Sequence, residues 1–345
     1  MALYHHVPVM LEESVAAWRG AAAAVASSCV RPRFYIDCTL GGGGHTAHLL
    51  RLDPDARILG LDKDAIAVSA ATSHLDAAGL SARACILQSC YTSLPALLAK
   101  LPWPPAGQVD GIFADLGVSS PQLDDPARGF SFRMDGPLDM RFGADAATAT
   151  AADLVNVLPE AQLAALFSGL GEEPCATEAA RAIAARRGAQ PFQTTVDLAQ
   201  VLGKAIRSAQ RARFRSVTTS RSHPATRCFQ ALRIAVNGEL ASVQRLLDVA
   251  PRLLAPGGRF AVLSFHSLED RLVKDAFAAL CGSSSSGGGP GRPRAGGGNF
   301  RGLRFGPGTV GSHFASATPE EVARNPRARS AKLRVVERAL VADPT

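Results

Sequence analysis

The chain has 345 residues, of which 47% are hydrophobic and 19% are charged, a composition that buries a large core and excludes an intrinsically disordered protein. The formal net charge of +7 is compatible with a polyanionic partner without requiring one. No segment reaches the roughly 18 to 20 apolar residues of a membrane span, and the cysteines form neither a CxxC pair nor a cluster with metal-ligand spacing, so we expect neither a membrane segment nor a bound metal.

Short apolar runs alternate with helical patterns through the first part of the chain. The runs contain few polar positions, which is typical of strands buried on both faces of a parallel sheet. Strands are predicted at 34–40, 57–62, 82–88 and 109–116, and helices at 45–52, 65–79 and 92–101. The alternation predicts an α/β domain with a parallel sheet.

The pattern changes to helical periodicity alone after about residue 144. Pro159 fits a helix start, and Gly171 and Gly188 fit helix ends. Helices are predicted at 151–158, 159–171, 177–188 and 194–206. We interpret 144–221 as an all-helical domain inserted into an α/β domain that comprises residues 1–143 and 222–345.

The α/β pattern returns after this insertion. A single long helix is predicted over 226–255, followed by a strand at 259–265 and a helix at 267–280. Residues 282–317 are rich in Gly, Ser, Pro and Arg and are interpreted as a low-complexity linker. The segment "KLRVVE" near the end of the chain predicts a last strand of the sheet.

Four consecutive glycines, Gly41 to Gly44, follow the first predicted strand. A dinucleotide-binding loop of the form GxGxxG that starts at Gly41 and Gly43 needs its third glycine where Thr46 stands. A phosphate-binding P-loop needs a lysine where His45 stands. Both phosphate-binding interpretations are therefore disfavoured, and a nucleoside site remains.

Carboxylates follow the second and fourth predicted strands. Asp62 ends one strand and Asp115 ends the other, and Tyr91 follows the third strand. Ligands of open parallel sheets bind outside the carboxyl ends of the strands, where Asp62 can accept hydrogen bonds from both ribose hydroxyls and Tyr91 can lie beside an adenine ring. Each residue alone is also compatible with a turn or a helix cap; together they favour a site for S-adenosyl-L-methionine (SAM).

Several long motifs, in the same order along the chain, resemble one family over most of its length. This family is the methyltransferases of the RsmH, or MraW, type, which modify the N4 amine of a cytidine in small-subunit ribosomal RNA. The resemblance implies a class I SAM-dependent, Rossmann-like α/β fold with an inserted helical domain. The matching stretches are "HVPVMLEE" (6–13), "DCTLGGGGHT" (37–46), "DGIFADLGVSSPQLDDPARGFSF" (110–132), "GPLDMRF" (136–142), "HPATRCFQALRIAVNGEL" (223–240), "PGGRFAVLSFHSLEDRLVK" (256–274) and "NPRARSAKLRV" (325–335).

The resemblance also implies which residues bind the cofactor. The family usually has phenylalanine at the position of Tyr91, so an aromatic ring is kept there. The residues that match the SAM-binding positions of the family are Gly43, Gly44, His45, Asp62, Tyr91, Asp115 and Gln122.

Candidates for the chemistry follow from the weak nucleophilicity of the cytosine amine, which needs precise positioning and a hydrogen-bond acceptor. Asp115 is followed by Leu-Gly, without the prolines and the aromatic residue that many amino-methyltransferases have there. Asp139 is therefore a second candidate acceptor; the alternative is a salt bridge to Arg141 or Arg133.

Four further residues are candidates for contact with the substrate. Phe130 and Phe132 could stack on a flipped cytosine or pack in a core. Arg227 could face the RNA or close a buried network, and His266 has a structural alternative too.

Arginines around the end of the insertion are candidates for contact with RNA phosphates, with a solvated surface as the alternative. They are Arg181, Arg186, Arg187, Arg207, Arg211, Arg213, Arg215 and Arg221. The predicted partner is small-subunit ribosomal RNA within an assembled or nearly assembled subunit, and a homodimer is left open.

Two other functions stay under consideration, a nicotinamide oxidoreductase and a non-catalytic RNA-binding factor in ribosome assembly that kept the SAM fold. The seven cysteines lie mostly in apolar runs, which favours reduced thiols and a cytoplasmic protein. A chloroplast or mitochondrial location stays open if a transit peptide precedes these residues.

Overall fold

The computed structural model describes residues 7–20, 32–101, 108–143, 147–213, 222–281, 300–302 and 314–339. Residue contacts divide the chain into two compact units. The sheet unit comprises Met1–Gly117 and Ala241–Thr345, and the helical unit comprises Val118–Leu240. The helical unit is wider than the insertion predicted at 144–221, because Phe130, Leu138 and Met140 already belong to its apolar core.

The predicted parallel sheet is confirmed. The described strands are β1 (Arg33–Asp37), β2 (Ala56–Asp62), β3 (Ala84–Gln88), β4 (Val109–Asp115), β5 (Leu254–Ser264), β6 (Phe300–Gly302), β7 (Ala315–Ser316) and β8 (Lys332–Arg338). Their order is β3-β2-β1-β4-β5-β8-β6, with β7 also paired to β8. The five strands β1 to β5 pair in parallel, and the pairs of β8 with β5, β6 and β7 are antiparallel.

Side chains on both faces of the central strands are buried, which explains why these strands read as continuous apolar runs. Ile58 and Leu59 are adjacent on β2, and each is fully buried. Trp18 at the end of the first helix stacks on Phe113 of β4 with the ring centroids 5.4 Å apart. A Cβ at Gly111 would lie 2.6 Å from the Trp18 carbonyl oxygen, so this contact requires glycine.

The helices of the sheet unit follow the predicted alternation. They are α1 (Leu11–Arg19), α2 (Gly44–Leu52), α3 (Ala65–Ala77), α4 (Leu94–Leu98), α12 (Ser267–Leu280) and α13 (Pro319–Arg324). The described helices of the helical unit are α5 (Ser120–Asp124), α6 (Ala151–Val157), α7 (Glu160–Gly171), α8 (Ala176–Arg187), α9 (Thr195–Arg213) and α10 (Thr226–Asn237), and α11 (Glu239–Leu253) follows them.

Two predictions about these elements are wrong. The single helix predicted over 226–255 is broken at Gly238, whose φ of 59° is left-handed and ends α10. The linker predicted over 282–317 contains the strands β6 and β7, which pair with β8; residues 282–299 and 303–313 lie outside the described part of the chain.

Gly171 ends α7, as predicted, but its main constraint is packing. A Cβ at this position would lie 2.5 Å from the carbonyl oxygen of Arg227, at the contact between α7 and α10. The left-handed residue that terminates the helix is Glu172, with a φ of 49°. At Gly188 the backbone is right-handed, so this glycine ends α8 without a left-handed cap.

None of the helices in the described ranges has the length and apolarity needed to cross a membrane. The same residues contain no group of three or more His, Cys, Asp or Glu side chains arranged to hold a metal ion.

Candidate active site

The strand order of the sheet reverses between β1 and β4, which creates a crevice at the carboxyl ends of these strands. Asp37 is the last residue of β1, Asp62 of β2 and Asp115 of β4. The sequence therefore places three carboxylates at the same edge of the sheet, with the glycine loop between the first strand and α2.

Two features fix the conformation of the glycine loop (Gly41 to Gly44): left-handed backbone angles and a close contact with Pro8. Gly41 and Gly43 have φ values of 52° and 75°, a conformation that favours glycine. Gly44 begins α2, and a Cβ there would lie 2.4 Å from Cγ of Pro8. Packing against Pro8 thus requires that residue 44 has no side chain.

Asp62 joins the loop to the end of β2. Its Oδ2 atom accepts a hydrogen bond of 2.9 Å from the Gly41 amide, and its Oδ1 atom accepts one of 2.9 Å from the Asp64 amide. Burial raises the pKa of this carboxyl above its ordinary value. Each carboxylate oxygen accepts up to two hydrogen bonds, so Asp62 can bind the loop and ribose hydroxyls together.

Asp37 is a site residue that the sequence analysis missed. It is 1% exposed, accepts a 2.7 Å hydrogen bond from the Thr46 hydroxyl and accepts a 3.1 Å bond from the Thr39 amide. Burial outweighs these bonds and raises the pKa of Asp37 to about 6. The strand predicted at 34–40 placed Asp37 in its interior, whereas β1 ends at Asp37.

Asp115 and His45 face one another across the loop. Oδ2 of Asp115 lies 3.9 Å from Nδ1 of His45, while Nε2 of His45 is 3.1 Å from the Val9 carbonyl oxygen. Burial, and then the charges of Asp37 and Glu269, raise the pKa of Asp115 well above its ordinary value. A site that raises the pKa of several acids is electrostatically suited to a cationic ligand.

Residues Val7–Met10, which we call the strap, lie between the glycine loop and the segment that contains α13 and Asn325. Pro8 packs against Gly44, and the Val9 carbonyl bonds to His45. Glu321 of α13 accepts a hydrogen bond from the Met10 amide, and Asn325 Nδ2 donates a 3.4 Å bond to the Val7 carbonyl. The strap is thus fixed by α13 on one side and contacts the loop on the other.

Tyr91 and His266 are the two other predicted site residues of the sheet unit. Tyr91 is half-buried at the start of a 3₁₀ turn (Tyr91–Ser93) after β3. His266 is the N-cap of α12, and its Nδ1 accepts a 3.3 Å bond from the Glu269 amide. This capping favours the structural alternative for His266.

Gln122 and Asp139 belong to the helical unit. The Gln122 side-chain oxygen accepts a 3.0 Å bond from the Ser119 amide in a capping box at the start of α5. Arg141 binds both oxygens of Asp139, with Nε 2.9 Å from Oδ1 and Nη2 2.7 Å from Oδ2. The Arg141 guanidinium holds the pKa of Asp139 below its usual range, so Asp139 is an ionised and rigidly oriented carboxylate.

The structure favours the packing alternative for Phe130 and a structural contact for Arg227. Phe130 is 6% exposed and stacks on Phe142 at 5.4 Å, which leaves no free face for a cytosine. Arg227 donates a 2.8 Å bond to the Glu172 carbonyl at the end of α7. Phe132 is half-buried beside His223, so part of its ring stays accessible.

Several predicted RNA-binding arginines are held by neighbours within the helical unit. Arg186 pairs with Asp197, Arg213 pairs with Glu178, and Arg187 donates to backbone carbonyls of 155 and 158. Arg181 lies 3.8 Å from Glu160. Arg207 and Arg211 are exposed on α9, whereas Arg215 and Arg221 lie outside the described residues.

A family model and individual related proteins both match this chain over nearly its whole length. The family model described as the MraW methylase family matches residues 3–339. The chain is 42% identical over 346 residues to "Ribosomal RNA small subunit methyltransferase H" of Syntrophobacter fumaroxidans, covering 96% of each protein. It is 43% identical over 340 residues to the protein of the same name from Acidiphilium cryptum, covering 96% of this chain and 97% of that one.

Proposed function

Because the chain belongs to the MraW methylase family, we propose that it transfers the methyl group of SAM to the N4 amine of a cytidine in small-subunit ribosomal RNA. The observation that carries this proposal is the convergence of Asp37, Asp62 and Asp115 beside the glycine loop. An assembled or nearly assembled small subunit in the cytoplasm is the substrate that we propose, and a homodimer is compatible with it.

The residues at the carboxylate edge of the sheet fit SAM. This cofactor supplies an electrophilic methyl group on a sulfonium and also carries an ammonium group. The buried acids complement these positive charges. We assign Asp62 to the ribose hydroxyls, Tyr91 to the adenine ring, and Gly43, Gly44 and His45 to the methionine part. Gln122 is assigned to the cofactor by its position in the family motif.

In the transfer itself, the protein must orient a weak nucleophile and accept a proton. We assign the hydrogen bond from the cytosine amine to Asp139, whose orientation is fixed by Arg141. An acid with a lowered pKa is a weak base, which is sufficient because a methylated cytosine amine that carries an extra proton is itself strongly acidic. Asp115 is the second candidate acceptor.

The test of this function is incubation with labelled SAM and small subunits that lack the modification. Transfer of label to the N4 amine of one cytidine is expected. Intact SAM binding without any transfer would overturn the enzymatic function and favour a non-catalytic factor in ribosome assembly. Reduction of a nicotinamide cofactor in the same assay would instead support an oxidoreductase.

SAM affinity is expected to rise as the pH increases from 5 to 7. In the ligand-free protein Asp37 holds its proton up to a pKa of about 6, whereas a bound cation favours the ionised form. Binding below that pKa must therefore release a proton, and the affinity rises by up to about tenfold per pH unit until Asp37 is ionised. Calorimetry at pH 5.5 in buffers of different ionisation enthalpy measures the protons released.

Asp37→Asn is the matched variant for this prediction, since it keeps an oxygen that can accept from Thr46 while removing the titration. We expect less proton release at pH 5.5 than in the wild type. If the variant releases as many protons as the wild type, the titrating group is another of the buried acids.

The hydrogen bond from the Met10 amide of the strap to Glu321 is expected to strengthen SAM binding indirectly. Glu321→Ala removes the acceptor for the Met10 amide, which loosens the contacts of Pro8 and Val9 with the glycine loop and raises the Kd for SAM about fivefold to tenfold. Glu321→Gln keeps an oxygen at the same place and should restore wild-type affinity. Equal weakening by both variants would show that the charge of Glu321, and not its hydrogen bond, matters.

A further inference from the structure

We propose that Phe132, His223 and Arg207 form a stacking cluster in the helical unit that binds one unpaired base of the RNA substrate together with its adjoining phosphate. The inference rests on the proposed function, because that function makes RNA the ligand. It goes further by assigning the contact to three named side chains of the helical unit.

The aromatic part of the stacking cluster packs on a buried ring on one side and is exposed on the other. The Phe132 ring lies 4.6 Å from that of Phe229, edge to face, and Phe229 is 4% exposed. On its other side Phe132 contacts His223, with ring centroids 4.9 Å apart and planes tilted by 49°. His223 itself is exposed, so solvent reaches the imidazole that lies beside the Phe132 ring.

The orientation of the imidazole is fixed by the backbone that follows it. Nδ1 of His223 accepts a 3.2 Å bond from the Ala225 amide, which leaves the hydrogen of the neutral ring on Nε2. Partial burial, and then the Arg207 charge, lower the pKa of His223. The ring is therefore neutral at pH 7 and can stack on a base and donate one hydrogen bond.

Arg207 supplies the charge of the stacking cluster. It is exposed on α9, and no carboxylate of the described ranges pairs with it, unlike Arg186 and Arg213. A Cβ at Gly203, one turn earlier, would lie 3.1 Å from Cε1 of His223 and 3.2 Å from Nη2 of Arg207. Glycine at this position thus lets the guanidinium and the imidazole approach one another.

This combination matches the way proteins bind single-stranded RNA. Unpaired bases stack on aromatic and histidine rings, and arginine binds the phosphate that connects them. Such stacking is sequence-tolerant, so the stacking cluster holds the strand and does not select the target cytidine.

The experiment measures the KM for undermodified small subunits, with the SAM Kd and the melting temperature as checks. Arg207→Ala and His223→Ala are each expected to raise KM about tenfold and to leave SAM binding unchanged. His223→Phe keeps a ring and should recover most of the affinity. Lys204→Ala is the control, since it removes a positive charge from an exposed position on the same helix, and its KM should stay within about twofold of the wild type.

Equal effects of Arg207→Ala and Lys204→Ala would overturn the stacking cluster in favour of general attraction to phosphate. A second measurement separates this failure from failure of the proposed function. Binding of a short oligocytidylate, followed by fluorescence anisotropy, needs no methyl transfer, and His223→Ala should weaken it about tenfold. Inorganic polyphosphate, which has no bases, should bind equally well to the wild type and to His223→Ala; if it loses affinity in that variant, the stacking role is refuted.

Discussion

Replacement of Asp62 by alanine is expected to raise the Kd for SAM by about 100-fold or more, the largest effect on cofactor binding of any single change in the sheet unit. Two hydroxyl groups of the ribose would each lose a hydrogen bond to a charged acceptor, and each such bond contributes roughly 1.5 to 3 kcal/mol. The Gly41 amide would also lose its 2.9 Å bond to Oδ2, so the glycine loop would lose a constraint. Calorimetric titration of SAM into the variant measures the effect.

Two further variants make this prediction specific. Asp62→Asn keeps one acceptor oxygen and is expected to weaken binding by about tenfold only. Asp55 precedes the same strand at its amino end and is more than half exposed, so Asp55→Ala should leave the Kd unchanged. An Asp62→Ala protein that binds SAM as tightly as Asp55→Ala would exclude Asp62 from the cofactor site.

The sheet and its carboxylate edge could be predicted from the sequence because they depend on local patterns. Continuous apolar runs mark strands that are buried on both faces, and an acid directly after such a run is placed at the strand end. Asp62 and Asp115 were found in this way. Asp37 could not be identified in this way because the apolar pattern continues to Leu40, whereas β1 ends at Asp37.

Contacts between distant segments could not be predicted. The strap depends on Glu321 and the Met10 amide, which are brought together only by the complete fold of the sheet unit. Strand β6 was hidden because it is short and pairs with β8 through backbone atoms, which leave no side-chain pattern. The break at Gly238 was missed because apolar periodicity continues on both sides of the glycine.

The alternatives left open for single residues depend on tertiary contacts that sequence spacing does not reveal. His266 caps a helix and Phe130 stacks in a core, whereas Asp139 forms the predicted pair with Arg141. That pairing does not remove Asp139 from the reaction, because a carboxylate oxygen has room for a second donor. The salt bridge and the role as acceptor are therefore compatible, and only a change at Asp139 separates them.

Replacement of Asp139 by alanine is expected to lower kcat about a thousandfold, within the range that proton transfer by a positioned group contributes, while the SAM Kd stays within about twofold. Asp139→Asn keeps the shape and one acceptor oxygen for Arg141 but removes the negative charge, so it should also lower kcat strongly while folding like the wild type. Single-turnover assays with undermodified small subunits measure the chemical step, and calorimetry measures SAM binding.

Asp153 provides the matched control for Asp139, because it is a carboxylate of the same unit whose pKa is also lowered, in this case by Thr150. It closes a capping box at the start of α6, so Asp153→Ala should lower the free energy of unfolding by about 1 kcal/mol and leave kcat unchanged. If Asp139→Ala behaves in the same way, with lost stability and full turnover, its pairing with Arg141 is purely structural. Asp115 then becomes the acceptor to test, since its raised pKa makes it the stronger base of the two.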